Sequence, residues 1–188
     1  STAAFVAGGP GDDLLEISSV SRSVVAFNAG DGHDTLVQFY ASPQTSFLTI
    51  SLNDVPGADL YLCRDGDDLV LHVGANDSLR FAGWQFLAPE AQPHLELQII
   101  DDVRLYDLSP AIAQFEAAQG SAGPAFTLEP VLPGLLLWSS ATHAVGGDLA
   151  VAYAQTGTTE AVSGAVARSV VGDAGFGLQA QALSQPLV

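Results

Sequence analysis

Two nine-residue stretches repeat one pattern, and that pattern limits the fold more than any other feature of the chain. They are Gly8-Gly9-Pro10-Gly11-Asp12-Asp13-Leu14-Leu15-Glu16 and Ala29-Gly30-Asp31-Gly32-His33-Asp34-Thr35-Leu36-Val37. Both fit the nonapeptide G-G-x-G-x-D-x-U-x, where U is a large apolar residue; Ala29 stands at the first place of the second copy. The first six residues must form a tight turn with carbonyls aimed at an ion, which needs backbone angles that only glycine adopts at little cost. The sixth residue, Asp13 or Asp34, supplies a hard carboxylate oxygen. Calcium takes roughly six to eight oxygens at about 2.3–2.6 Å, so one turn cannot satisfy it and two stacked turns can. The last three residues form a short strand whose apolar side chain, Leu15 or Leu36, points into a core. A nonapeptide of this form is the unit of a parallel β-helix. Gly9, Gly11, Asp13, Gly30, Asp31, Gly32 and Asp34 are therefore the expected metal-site residues. Between the copies, Ser18–Phe27 reads as a strand-like insert.

The charge balance favours the same partner. Fifteen Asp and six Glu face five basic residues, all Arg, for a net charge of −16. Such a chain lacks the basic patch that nucleic acid or an anionic membrane requires, so neither is an expected partner; a hard cation is. A hydrophobic fraction of 48% is enough for a real core. Cys63 is alone, which rules out a disulfide framework and a Cys-based zinc site. No run of 18 apolar residues exists, so no membrane span is expected. Ser1–Pro10 has no basic start of a signal peptide, and without an initiator Met the chain reads as a piece of a longer protein.

The acidic residues are concentrated in 1–119, which holds 17 of the 21. Gln119-Gly-Ser-Ala-Gly-Pro124 reads as a boundary. The expected divisions are 1–46 (terminal roll turns), 47–119 (a β capping segment with a closing helix) and 120–188 (a tail). Within the second division, Leu48–Leu52 and Leu95–Ile99 alternate apolar and polar. Leu60–Arg64 and Leu69–Val73 flank an Asp-Gly turn, a strong hairpin signal. Residues 47–100 thus predict an antiparallel meander. Ser109–Ala118, with Ser and Pro at its start, predicts a helix that Gly120 stops. In the tail, Gly147–Gln155 and Thr159–Val171 carry weaker helical patterns. The expected fold is mainly β: a short parallel β-roll end, capped by the meander and one helix, then a partly helical tail.

These residues resemble the haemolysin-type calcium-binding (RTX) family. Ala26–Leu36, AFNAGDGHDTL, is similar to the last strand and turn of an RTX β-roll. Leu60–Phe86, LYLCRDGDDLVLHVGANDSLRFAGWQF, resembles the segment after the family's final repeats. There a hairpin of the form R-x-G-[ND]-D-L-x-[IVL] precedes a G-x-x-D turn, a strand and an aromatic corner. Leu95–Val103 and the helix 109–118 resemble the family's next strand and closing helix. The likeness covers roughly residues 5–119, with few consecutive nonapeptides, so a low ion count is implied. The tail resembles the uncleaved C-terminal signals of proteins exported by type I secretion.

The resemblance implies a non-catalytic module that folds on binding calcium after export and caps the β-roll of a larger toxin or adhesin. It implies a secreted, extracellular or cell-surface location. The implied partners are calcium ions, the type I secretion apparatus through the tail, and upstream repeats of the same chain. Asp67 and Asp77 are further candidate ligands, with Asp65, Asp68, Asp101 and Asp102; solvated turn carboxylates are the alternative for all of them. The four histidines show no zinc spacing. No Gly-x-Ser-x-Gly elbow or phosphate loop is present, so no catalytic set emerges. The rival readings are a glycan- or peptide-binding end of an adhesin, the non-catalytic tail of a secreted enzyme, and a calcium-dependent surface-layer module.

Overall fold

The computed structural model describes residues 3–17, 22–37, 46–118 and 126–188. Two six-stranded sheets face each other, and the chain alternates between them. β1 (Ala3–Ala7) lies in the first sheet and β2 (Leu14–Glu16) in the second; β3 (Arg22–Phe27) returns to the first and β4 (His33–Val37) to the second. β1 pairs with β3, and β2 with β4, in parallel. This is the winding of a parallel β-roll. Residues 22–27 of the expected insert are the other half of a coil.

The meander expected over 47–100 is corrected in part. β5 (Phe47–Leu52) pairs parallel with β3, and β9 (His94–Ile99) parallel with β5, so both continue the roll. Only the middle is antiparallel: β6 (Leu60–Asp65), β7 (Asp68–Val73) and β8 (Asp77–Phe81), turned at Gly66 with φ +60°. β8 then rejoins the roll parallel to β4. An alternating strand fits either pairing, so alternation alone does not separate the two.

The end is closed by antiparallel elements. β10 (Arg104–Asp107) runs back along β9. α1 (Ser109–Ala118) has the predicted limits and buries Ala111, Ile112 and Phe115. The boundary at 119–124 lies outside the described residues. Residues 126–188 then join both sheets. β11 (Phe126–Thr127) adds to β6. After α2 (Leu132–Leu135), β12 (Leu136–Ser139) adds to β10.

The rest of the tail lies on the outer face of the first sheet. β13 (His143–Ala144) leads into α3 (Gly147–Thr156), close to its predicted span. α4 (Gly164–Gly172) starts later than expected because Ser163 caps it, accepting from Val166 N at 3.3 Å. β14 (Gln181–Ala182) pairs back with β13.

Two cores result. The larger fills the space between the sheets with Leu15, Leu36, Phe27, Ile50, Leu52, Phe81 and Leu97, all at most 7% exposed. The smaller lies under the tail, where Val24 and Leu105 meet Val145, Leu149, Val170 and Phe176. Among the described residues no helix is long and apolar enough to cross a membrane.

Candidate metal centre

The parallel register sets Leu15 beside Leu36 and stacks the two nonapeptide turns. Gly9, Gly11, Gly30 and Gly32 all take positive φ, between +88° and +133°, as the sequence pattern requires. At Gly32 the constraint is also spatial: a Cβ there would sit 2.5 Å from Gly11 O. Crossed hydrogen bonds tie the turns. Asp13 N donates to Asp34 Oδ1 at 2.9 Å, Thr35 N to Asp13 O at 2.8 Å, and Gly11 N to Asp31 O at 2.7 Å.

Asp34 shares its face of β4 with Leu36, so its carboxylate is turned inward and is 1% exposed. Its Oδ2 is buried without a hydrogen-bond partner among the described residues. A Cβ on Gly8 would lie 2.9 Å from that oxygen and 2.8 Å from Asp13 Oδ2. Both carboxylate oxygens thus pack against Gly8, where any side chain would collide with them. Burial pushes the Asp34 carboxyl up to about 6; repulsion from Asp13, Asp31 and Asp12 adds to this, and the Asp13 N–H opposes it.

This donor set suits a hard divalent cation. The donors are oxygens, one of them buried and uncommitted, and the local charge is negative. Among the described residues, no group of three or more His, Cys, Asp or Glu side chains is placed to hold a metal. Turn carbonyls would have to complete the shell.

The other expected site residues separate into two groups. Asp31 is at the turn but already engaged: its Oδ2 accepts from Asn28 N and from the Tyr153 hydroxyl, both at 2.8 Å. Asp77 Oδ1 caps Gly32 N at 2.9 Å from the next coil, and Asp12 Oδ1 caps His33 N at 2.9 Å. Asp67 is not brought to the site. The β6–β7 turn lies beside Phe81 at the end of β8, whereas His33 pairs with Ser78 at its start. There Asp67 O accepts from Gln85 N, and Asp65 and Asp68 bind Arg80 at 2.6 and 2.8 Å. Asp101 and Asp102 similarly hold Arg104, at 3.2 and 3.0 Å.

Sequence reasoning missed Asn28 and Tyr153. Tyr153 stands 122 positions beyond Asp31, and nothing in local spacing announces the contact. Cys63, alternating with the buried Leu60 and Leu62, faces outward and is half-buried, with its Sγ 3.2 Å from His72 Nε2; burial raises its pKa. Trp84, by contrast, is interior: it is 2% exposed, sits edge-on to Phe81 at 5.8 Å, and donates its Nε1–H to Glu116.

The chain matches no protein-family model and no curated protein.

Proposed function

We propose that this chain is a calcium-binding end block of a β-roll, of the kind its motifs resemble, whose fold is completed by the cation after export. The observation that carries the reading is the buried, unpartnered Asp34 Oδ2, which packs with Asp13 Oδ2 against the side-chain-free Gly8. Calcium, when bound, supplies the positive charge that lets these oxygens stay ionised side by side. The chain's own residues do the rest. Glycines hold the turns open to the ion, the Asp13 N–H orients Asp34, and Leu15 and Leu36 anchor each turn to the core.

Without the cation, the turns carry buried like charges and the entropy cost of closing glycine-rich loops. Extracellular calcium modules bind with dissociation constants on the order of 10⁻⁴–10⁻³ M. A site at a hundredfold excess over that constant stabilises the fold by about 2.7 kcal/mol. A chain of this kind would stay loose in a calcium-poor cytosol and close outside the cell.

The end-block reading rests on an asymmetry of the sheets. One end is built of antiparallel strands, β10 and β12 in one sheet and β11 in the other; at the opposite end, among the described residues, the parallel strands β1 and β2 are the outermost of their sheets. Parallel repeats stacked on β1 and β2 would bury those edges. The reading of the tail as an export signal, and the extracellular location, rest on the resemblance alone. A glycan-binding role gains no support from Trp84, whose ring is buried and offers no stacking platform.

Circular dichroism with a chelator tests the reading. Strand signal should grow on adding millimolar calcium, magnesium should not substitute, and Asp13→Ala and Asp34→Ala should each raise the calcium midpoint. An unchanged spectrum with no bound ion would overturn it.

A further inference from the structure

We propose that Tyr153 and Asp31 form a latch that couples the tail to the stacked turns, so that cation uptake and docking of residues 143–188 promote each other. The proposal rests on the calcium reading above and adds a regulatory partner to that site: the chain's own C-terminal segment.

One hydroxyl touches both turns. Tyr153 Oη donates to Asp31 Oδ2 at 2.8 Å in the second turn and accepts from Gly9 N at 3.1 Å in the first. The backbone at the same residue is held too, since Asn28 Nδ2 donates to Tyr153 O at 2.8 Å. Asn28 N in turn donates to Asp31 Oδ2. The network is dry: Tyr153 is 3% exposed, Asp31 4% and Asn28 7%, with Asn28 Oδ1 buried and without a partner among the described residues. A turn aspartate is ordinarily wet; this one is covered by a helix from the far end of the chain.

The latch shares its turns with the cation site. Gly9 and Asp13 lie in one turn, Asp31 and Asp34 in the other. A cation draws Asp13 and Asp34 together, which sets the spacing that Tyr153 bridges between Gly9 and Asp31. With the site empty, repulsion at Asp34 opposes that spacing. Docking elsewhere combines an apolar contact, Leu149, Val170 and Phe176 against Val24, with the hydrogen bonds of Gln98 to the Val145 backbone, so the tail has its own drive to bind. Linkage makes the coupling reciprocal: what the cation contributes to tail docking, tail docking contributes to cation affinity.

The test uses the full chain with calcium chloride as ligand. Calcium affinity is read by calorimetry, and tail docking by hydrogen exchange of the α3 amides. Wild type should protect α3 in calcium and expose it in excess EGTA. Tyr153→Phe should keep its far-UV spectrum in saturating calcium yet bind the ion about fivefold more weakly or worse. Leu149→Ala loosens docking without touching the turns and should weaken calcium binding in the same direction. Wild-type affinity in both variants would overturn the latch, as would α3 exchange that is equal in calcium and EGTA while calcium binds normally. A wild-type chain that binds no calcium overturns the site reading, and the coupling with it. That outcome differs from the others because the direct binding measurement alone is then blank.

Discussion

The backbone N–H of Asp13 donates to Asp34 Oδ1 at 2.9 Å, so the first nonapeptide orients the carboxylate of the second. The other oxygen of Asp34 is left buried without a partner. Under the proposed calcium reading, the same carboxylate is a liability without the cation and a ligand with it. That double role separates a cation site from an ordinary glycine-aspartate turn.

Asp34→Asn should show both sides. The amide keeps an oxygen for Asp13 N and removes the buried charge. In excess EGTA the variant should melt higher than wild type, by about 2–4 °C for each kcal/mol relieved. In millimolar calcium the order should reverse, because the variant gains nothing from the ion. Thermal melts in the two buffers check this.

A pH series in EGTA should trace the same group. The folded Asp34 carboxyl stands near 6 against an ordinary 3.8, so the native state holds a proton that the unfolded state has lost between those values. Its contribution to stability is full below pH 3.8 and is lost as pH rises through about 6. The melting difference between Asp34→Asn and wild type should be near zero at pH 4 and should reach a plateau above pH 7. A difference independent of pH would contradict the assignment.

Gly8 and Gly32 should behave differently from each other. A methyl on Gly8 meets Asp13 Cβ and side-chain oxygens of Asp13 and Asp34, so Gly8→Ala should destabilise the fold in EGTA and in addition weaken calcium binding about tenfold or more. A methyl on Gly32 meets backbone at Gly11 and is strained at φ +98°, so Gly32→Ala should cost about 1–3 kcal/mol in both buffers. Calcium titrations and melts of the two variants distinguish these outcomes.

Much of the site was legible because its determinants are local. Glycine spacing, the sixth-place carboxylates and the apolar eighth place act within nine residues, and Gly9, Gly11, Gly30, Gly32, Asp13 and Asp34 stand where the pattern puts them. The Asp65–Asp68 hairpin and the Ser109–Ala118 helix were legible for the same reason. Parallel pairing of Phe47–Leu52 was not, because alternation along one strand carries no information about its neighbour's direction. The burial of Thr49 and Ser51, at 0% and 1% exposed, was hidden too. Polar positions in an alternating strand read as a wet face, and here segments distant in the sequence cover that face.

Gln98 tests the cover. Its Nε2 donates to Val145 O at 2.9 Å and to Ser51 Oγ at 3.0 Å, and its Oε1 accepts from Val145 N at 2.7 Å. Gln98→Ala leaves both backbone groups of Val145 buried without these partners and should cost about 2–4 kcal/mol. Hydrogen exchange at Val145 should rise ahead of global unfolding; exchange unchanged from wild type would show that the tail is held without this clasp.

The most direct measurement is the thermal midpoint of the wild-type chain in excess EGTA against millimolar calcium. At millimolar calcium, about a one- to tenfold excess over a constant of 10⁻⁴–10⁻³ M, one filled site contributes about 0.4–1.4 kcal/mol and should raise it by about 1–6 °C, and magnesium at the same concentration should not. Equal midpoints in EGTA and calcium would contradict the claim that the Asp13–Asp34 turns close around a cation.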